Sequence, residues 1–152
     1  DVMAILDLIT IPNPVLTQEC EKITTFDDNL KQFVNDMFET MYQHQGIGLA
    51  APQVGILERL CICEYDNDTL ILINPEIIEK GEEILSEEAC LSIPDTLVEV
   101  SRFKTIKIKA QTVEGIEFMV DATGMMAIII QHEMDHLNGV LITSKGNIIK
   151  GQ

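Results

Sequence analysis

The sequence is poor in basic residues: 10 lysines and arginines stand against 25 aspartates and glutamates, for a formal net charge of −15 at pH 7. A protein that binds nucleic acid or an anionic membrane needs a basic surface to neutralise phosphates. The composition therefore argues against both as main partners. It does not identify a substrate, because a strongly acidic surface most often serves only to keep a protein in solution.

Three further absences narrow the class of protein. No stretch of the chain has the uninterrupted apolar length of a membrane span. The first residues, Asp-Val-Met-Ala-Ile-Leu-Asp, have no basic region ahead of an apolar core, so we expect no secretory signal. The four cysteines, at positions 20, 61, 63 and 90, do not resemble a disulfide framework. We therefore expect a reducing, cytoplasmic setting.

The chain does have enough apolar residues, 46% of 152, for one globular domain spanning residues 1–152. After an irregular segment of about 23 residues, helical spacing predicts one long N-terminal helix, capped by Thr25 and ending near Gly46. Short apolar runs from Leu57 to Thr112 predict strands, one of which ends at Asn74-Pro75. A second helix is predicted over about residues 123–137. Strands bracketed by an early and a late helix indicate an α+β fold.

The second helix carries the sequence Gln-His-Glu-Met-Asp-His at residues 131–136. His132 and His136 are four residues apart, so both imidazoles project from one face of the helix and can reach a single metal ion. Glu133 lies beside them as a candidate group for proton transfer. Polar and charged residues in so apolar a helix are costly unless something pairs with them, which favours a metal site over an amphipathic surface helix.

A catalytic metal site commonly has three protein ligands, and the third must come from upstream here. Residues 137–152 contain no Asp, Glu, His or Cys. The residues themselves leave three candidates open: His44, one of the four cysteines, or a carboxylate. His44 falls in the last turn of the first predicted helix, where we expect it at the surface. Cys61 and Cys63 share one face of a short apolar strand and are expected to be buried structural thiols.

Three blocks of the sequence together resemble the peptide deformylases, which remove the formyl group from the N-terminal methionine of new proteins. The first block, Gly-x-Gly-Leu-Ala-Ala-x-Gln, is matched at residues 46–53. The second, Glu-Gly-Cys-Leu-Ser, is matched at residues 88–92 except that Ala89 replaces the glycine. The third is the histidine motif at residues 131–136. Their order and spacing extend the resemblance over nearly the whole chain.

The resemblance implies that Cys90 is the third metal ligand, with His132 and His136. It also implies a fold in which antiparallel sheets surround a central metal-binding helix. A thiolate and two imidazoles suit Fe²⁺, Zn²⁺, Ni²⁺ or Co²⁺, of which Fe²⁺ is the usual ion of the family. Glu133 would act as the acid–base group, and the Gln53 side chain and Leu91 backbone N–H would donate to the tetrahedral oxyanion.

The resemblance also implies a substrate pocket for N-formylmethionyl peptides. Gly48 corresponds to a position that aligns the peptide backbone. The pocket for the methionine side chain is expected near Ile47, Glu88, Met125, Ile128 and Ile129, although the last three are equally suited to a core.

Two departures from the family pattern affect these expectations. If the family glycine has a positive φ, Ala89 would be strained there, and we expect a small local adjustment. Many bacterial members carry a long C-terminal helix used in ribosome docking, whereas only 13 residues follow Gly139 here. We therefore expect a short form of the enzyme, of the kind that some phages encode, without stable ribosome docking.

Two other functions are weighed against deformylation. A zinc metallopeptidase would use the same histidine motif, but the absence of a downstream ligand argues against it. A non-catalytic metal-binding domain on the same fold would need neither Gln53 nor Glu133, so the presence of both residues argues against it.

Overall fold

The computed structural model describes residues 4–151, which form eight strands and three α-helices. The helices are α1 (Asp28–Gln43), α2 (Gly124–Leu137) and the short α3 (Ile142–Lys145). The strands are β1 (Gly48–Ala50), β2 (Leu60–Tyr65), β3 (Asp68–Lys80), β4 (Glu83–Cys90), β5 (Ile93–Phe103), β6 (Thr105–Gln111), β7 (Glu117–Thr123) and β8 (Asn147–Lys150).

The strands form two antiparallel sheets, one of five strands in the order β1-β2-β3-β6-β7 and one of three in the order β4-β5-β8. Helix α2 packs against β1, β2 and β7 of the larger sheet and against β5 of the smaller one. The predicted α+β class, with antiparallel sheets around a central helix, is confirmed. No described helix is long and apolar enough to cross a membrane.

Helix α1 forms because its apolar residues recur at helical spacing and bury one face, which includes Leu30, Val34 and Met37. Its N-cap is Asp27, whose carboxylate accepts a hydrogen bond from the Leu30 N–H at 3.0 Å. The predicted cap at Thr25 is therefore wrong by two residues. Either residue type can cap a helix, so composition alone does not choose between them.

Strand β3 continues through Asn74-Pro75, where the sequence predicted a break. Asn74 has φ 51°, and the pairing with β6 shifts register between Ile73 and Glu76. The Asn74 amide holds this irregularity in place, because it accepts from the Ile23 N–H and donates to the Ile23 carbonyl, both at 2.9 Å. The side chain thus replaces ladder hydrogen bonds that the bulge removes.

Helix α2 is fixed at both ends and along its length. Its first amide, on Gly124, donates to the Lys104 carbonyl at 2.9 Å, and Gly139 follows its end with φ 71°. Gln131 ties its middle to the end of β5, accepting from the Phe103 N–H at 2.9 Å and donating to the Phe103 carbonyl at 2.8 Å. The helix therefore holds its polar residues at a fixed depth between the sheets.

The N-terminal segment crosses the elements that later form the site. It is mostly irregular, as predicted, apart from a short 3-10 helix at Pro14–Thr17. The Ile9 N–H donates to the Gln53 carbonyl at 2.7 Å, and the Ile11 N–H donates to the Ser92 carbonyl at 2.9 Å. This segment therefore connects the backbones of two motif blocks that belong to different sheets.

Candidate metal centre and active site

Helix α2 presents His132 and His136 one turn apart, with ring centroids separated by 5.3 Å. Both side chains are buried, as are their helix neighbours Gln131 and Glu133. The helix is apolar on nearly every side, so these polar groups lie inside the protein rather than on a solvated face.

Cys90 comes from the last position of β4. Strand alternation buries Ser86, Glu88 and Cys90 on one face and exposes Glu87 and Ala89 on the other. Within the described residues, Ala89 is not among those with positive φ, and the β4–β5 register shifts around it. The anticipated strain at Ala89 therefore does not arise.

The structure brings the three predicted ligands together. Cys90 Sγ lies 3.3 Å from His136 Nε2, and ligand atoms of Cys90, His132 and His136 lie within 4.8 Å of one another. A thiolate and two imidazoles at this separation fit a divalent transition-metal ion.

Glu88 holds His132 in orientation from behind. One carboxylate oxygen lies 2.8 Å from His132 Nδ1, which leaves Nε2 for the metal cluster. Arg102 donates to both Glu88 oxygens, through Nε at 2.8 Å and Nη2 at 2.7 Å. Arg102 Nη1 also donates to Asp135 at 2.6 Å, and Asp135 accepts from Lys145 Nζ at 3.0 Å. The His132 ring is thus the first member of a series of contacts that runs through Glu88, Arg102 and Asp135 to Lys145.

In this series of contacts each positive charge lies beside a negative one. Burial would raise the pKa of Glu88, but hydrogen bonds from Arg102 and His132 outweigh it and lower that pKa to about 2. Burial would lower the pKa of Arg102, and the carboxylates of Glu88 and Asp135 raise it instead. Arg102 is 1% exposed, so its charge is stable there only because both carboxylates contact it.

The two histidines differ in protonation in the metal-free protein. Burial would lower the pKa of His132, but hydrogen bonds to Cys90 and Glu88 and the charge of Glu133 raise it to about 10. Burial lowers the pKa of His136 to about 3, and the positive charges of His132 and Arg102 act in the same direction. His136 is therefore neutral and ready to ligate, whereas a cation must displace a proton from His132.

Glu133 is a buried carboxyl group that holds its proton more tightly than an exposed glutamate does. Burial raises its pKa to about 7, although His132 and Arg102 oppose the shift. Its Oε1 is buried and has no hydrogen-bond partner among the described residues. A carboxyl group with a pKa near neutrality and a free oxygen is suited to exchange protons with a reacting water.

The glycine-rich block makes room for this carboxylate. A Cβ built on Gly48 would lie 2.5 Å from Glu133 Oε2, so only glycine permits the observed approach. At Gly48 the neighbour is a side chain of the protein itself.

Gln53 is held at the edge of the cluster by a 3-10 helix, Ala51–Val54. Its Oε1 accepts from the Ala50 N–H at 2.9 Å, and its Nε2 donates to Ser92 Oγ at 3.1 Å. Nε2 also lies 3.7 Å from Cys90 Sγ. The amide orientation is therefore fixed, with its N–H groups directed towards the cluster.

A cavity of about 620 Å³ opens onto the cluster. Every predicted substrate-binding and acid–base residue lines it, together with Gln53, Leu91, Cys90 and His132. The predicted set is Ile47, Gly48, Glu88, Met125, Ile128, Ile129 and Glu133. Ile47 and Met125 are 49% and 44% exposed, so they form part of its rim, whereas Ile129 is buried. The oxygens of Glu88 face Arg102 and His132, so its carboxylate orients the His132 ring rather than pointing into the cavity.

The remaining ligand candidates lie outside this cluster. His44 is exposed at the end of α1, as predicted. Cys61 and Cys63 are fully buried free thiols, also as predicted. The pKa of Cys63 is raised by its hydrogen bond to Cys61 and by burial. Both side chains belong to a hydrophobic core cluster and lie outside the group of Cys90, His132 and His136.

Sequence reasoning missed Arg102, Lys145 and Ser92. Arg102 had a signal, because alternation with Val98 and Val100 places it on the buried face of a strand. A buried arginine requires carboxylate partners, and two lie in the motif blocks. Lys145 gave no such signal, since an exposed lysine at the end of a short helix is ordinary.

Comparison with known proteins places these features in one family. The family described as polypeptide deformylase matches residues 5–151. Peptide deformylase 1 of Bacillus subtilis is 44% identical over 145 residues, which covers 94% of this chain and 91% of that protein. The Heliobacterium modesticaldum peptide deformylase is 41% identical, covering 94% of this chain and 95% of that protein.

Solved structures agree with the sequence comparison. Peptide deformylase from Thermotoga maritima superimposes with a TM-score of 0.91 at 42% identity, covering 94% of this chain and 98% of that one. The Synechococcus elongatus peptide deformylase in complex with actinonin gives a TM-score of 0.90 at 40% identity, covering 93% of this chain and 79% of that one.

Proposed function

Because the chain belongs to the peptide deformylase family, we propose that its Cys90, His132 and His136 hold the metal ion and that Glu133 is its acid–base group. Members of this family are metal-dependent hydrolases that remove the N-formyl group from the formyl-methionine of nascent proteins. The observation that carries the assignment is the approach of Cys90, on a strand, to two histidines on a helix, beside a cavity that Cys90 and His132 line. We also propose that residues 1–152 form one catalytic domain.

We propose Fe²⁺ as the ion, with Zn²⁺, Ni²⁺ and Co²⁺ as ions that the same donors accept. When bound, such an ion lowers the pKa of a water molecule and polarises the formyl carbonyl. Glu88 supports the assignment because it fixes His132 with Nε2 free, as carboxylates behind ligating histidines do.

Glu133 would remove the proton from the attacking water through Oε1 and deliver it to the leaving amine. Its raised pKa supports this role, because a carboxyl group with a pKa of about 7 can both accept and donate a proton at neutral pH. The developing oxyanion would receive hydrogen bonds from the Gln53 side chain and from the Leu91 backbone N–H. The bond to Ser92 keeps the Gln53 amide from rotating away.

The substrate pocket would combine apolar and aligning groups. We propose that Ile47, Met125, Ile128 and Ile129 surround the methionine side chain, supported by their position along the cavity. Gly48 would align the peptide backbone. Glu88 would form part of the pocket wall while its carboxylate orients His132.

We further propose a cytoplasmic enzyme that binds neither nucleic acid nor membranes directly. The net charge of −15 supports this, since ribosomal RNA and anionic lipids would repel such a surface. Stable docking on the ribosome is not expected for the same reason.

The assignment is tested by formate release from a formyl-Met peptide by metal-loaded protein, with internal peptide bonds monitored in the same reaction. Formate without internal cleavage supports deformylation. Internal cleavage would instead favour the zinc metallopeptidase, and bound metal with neither product would favour a non-catalytic metal-binding domain.

A further inference from the structure

Cys63 is a fully buried thiol that the proposed mechanism does not use. It lies in β2, is 0% exposed and forms no disulfide. It belongs to the same hydrophobic core cluster as Ala127, Ile130 and Met134 of helix α2. Packing in the core accounts for its burial, but its place in the sheet also brings it beside Glu133.

The pairing of β1 with β2 sets Cys63 directly opposite Gly48. Residues opposite each other in an antiparallel pair project to the same face, with Cβ atoms about 4.5–5.5 Å apart. Glu133 approaches this face, because a Cβ on Gly48 would lie 2.5 Å from Glu133 Oε2 and 2.9 Å from its Cδ. Gly48 has no side chain, so Cys63 is the member of the pair whose side chain lies beneath the carboxyl group.

The Cys63 thiol forms its hydrogen bond with Cys61 rather than with Glu133. That bond is the largest cause of the raised pKa of Cys63, followed by burial, and the charges of Cys61 and Glu133 raise the pKa further. An effect of the Glu133 charge without a hydrogen bond agrees with two neighbouring groups, as the strand register requires. Glu133 Oε1 likewise has no hydrogen-bond partner among the described residues.

The chemical nature of this neighbour matters because a strong donor would hold the carboxylate in place. Hydroxyl and amide groups donate readily, whereas a thiol is a weak donor. A hydrogen bond from a hydroxyl would occupy a lone pair of the Glu133 carboxylate and fix its orientation. The proposed function requires that group to take a proton from the water and to deliver it to the leaving amine, so it must remain free to move between them.

We propose that Cys63 is a positioning residue for Glu133: it supports the carboxyl group from the β1–β2 side with a group that donates no hydrogen bond to it. The assignment rests on the proposed role of Glu133 in deformylation. Cys63 is not among the residues that line the cavity, so it acts through Glu133 and not on the substrate.

The test compares valine with threonine at position 63, because these side chains have the same shape and differ in one hydroxyl group. Both are β-branched and suit a strand. Cys63→Thr should have a kcat for formate release from a formyl-Met peptide roughly tenfold below that of Cys63→Val, the scale of one hydrogen bond to a charged group. KM and metal content should be the same in both, because the hydroxyl changes neither the cavity lining nor the three ligands.

Cys61 provides the matched control. It is fully buried on the same face of β2, but its cross-strand partner is Ala50 rather than Gly48. Cys61→Thr and Cys61→Val should therefore have equal kcat. Cys63→Ser and Cys63→Ala make the same comparison with smaller side chains, should the threonine variant not fold.

A crystal structure of metal-free Cys63→Thr gives a readout that does not depend on activity. The introduced hydroxyl should lie about 2.5–3.0 Å from a carboxylate oxygen of Glu133.

Three results would overturn the role of Cys63: equal kcat in its threonine and valine variants, the same kcat ratio at positions 61 and 63, or an introduced hydroxyl that bonds to another group. If the unsubstituted protein releases no formate, the proposed function fails, while the crystal structure still shows whether residue 63 faces Glu133. The two failures are therefore distinguishable.

Discussion

Gly48 and Glu133 are packed so closely that a single methyl group added to the glycine would lie 2.5 Å from a carboxylate oxygen. The contact joins the glycine-rich block on β1 to the histidine motif on α2. It explains why a strand residue with no functional side chain is part of the site.

Substitution of Gly48 by alanine should displace the Glu133 carboxylate without removing a metal ligand. We expect kcat for a formyl-Met peptide to fall by roughly 10²-fold, the scale of lost general acid–base catalysis, with metal content unchanged. Metal analysis and steady-state kinetics on the same preparation check this. Full turnover in Gly48→Ala would show that the Glu133 position is not critical.

Removal of the proposed thiolate should abolish metal binding. Cys90→Ala is expected to lose bound metal and activity together, because two imidazoles alone hold the ion poorly. Cys61→Ala is the matched control: it removes another buried thiol, outside the cluster, and should keep its metal. Stoichiometric metal in Cys90→Ala would refute the ligand assignment.

Glu133→Ala separates metal binding from proton transfer. Since Glu133 is outside the cluster of ligand atoms, the variant should retain metal. Its turnover should fall by roughly 10²-fold or more because the water and the leaving amine lose their proton carrier. Near-normal kcat with bound metal would remove Glu133 from the mechanism.

Arg102→Met should weaken both the fold and the metal site. It leaves the buried Glu88 carboxylate without its arginine and Asp135 with Lys145 alone, and breaking a buried pair in this way typically costs about 3–5 kcal/mol in the free energy of unfolding. Loss of the group that orients Glu88 should also lower metal affinity by roughly 10- to 100-fold. Denaturant titration and competition with a chelator measure the two effects.

Lys104→Met provides the control for the arginine variant. Lys104 makes an exposed ion pair with Glu82 at 3.8 Å, and such pairs contribute about 0–1 kcal/mol. A comparable loss of stability in both variants would mean that burial of the Arg102 network has no special importance.

The stability of the metal-free protein should decrease in acid because of Glu88. Its pKa is lowered to about 2 in the folded protein from an ordinary value of 4.5. The unfolded chain therefore binds a proton first as the pH falls, and the stabilisation, about 3 kcal/mol, is present above pH 4.5 and lost towards pH 2. Urea titrations between these pH values measure the slope. The slope should be smaller in Glu88→Gln, and an unchanged slope would contradict the assignment.

The sequence predicted the parts of the site that depend on local spacing. Helix α2 was predicted from an apolar stretch that carries two histidines four residues apart, and Cys90 came from the motif resemblance. The series of charged contacts from Glu88 through Arg102 and Asp135 to Lys145 was not predicted. It depends on how β4, β5, α2 and α3 pack in three dimensions. Spacing along a chain does not encode which strands become neighbours.

The two errors of detail have different origins. The break predicted at Asn74-Pro75 is absent because the Asn74 side chain bonds to Ile23, 51 residues away. The cap of α1 moved from Thr25 to Asp27 because local propensity does not separate neighbouring capping residues. Long-range hydrogen bonds and small differences in propensity are both invisible to pattern reading.

The crossing of the N-terminal segment behind the site has a consequence for the order in which the protein can mature. Ile9 and Ile11 are synthesised early, but their hydrogen-bond acceptors belong to Gln53 and Ser92, and the histidines follow only at positions 132 and 136. Closing such long loops is entropically costly until the last partners are present. The group of Cys90, His132 and His136 therefore cannot come together before position 136 has been added to the growing chain.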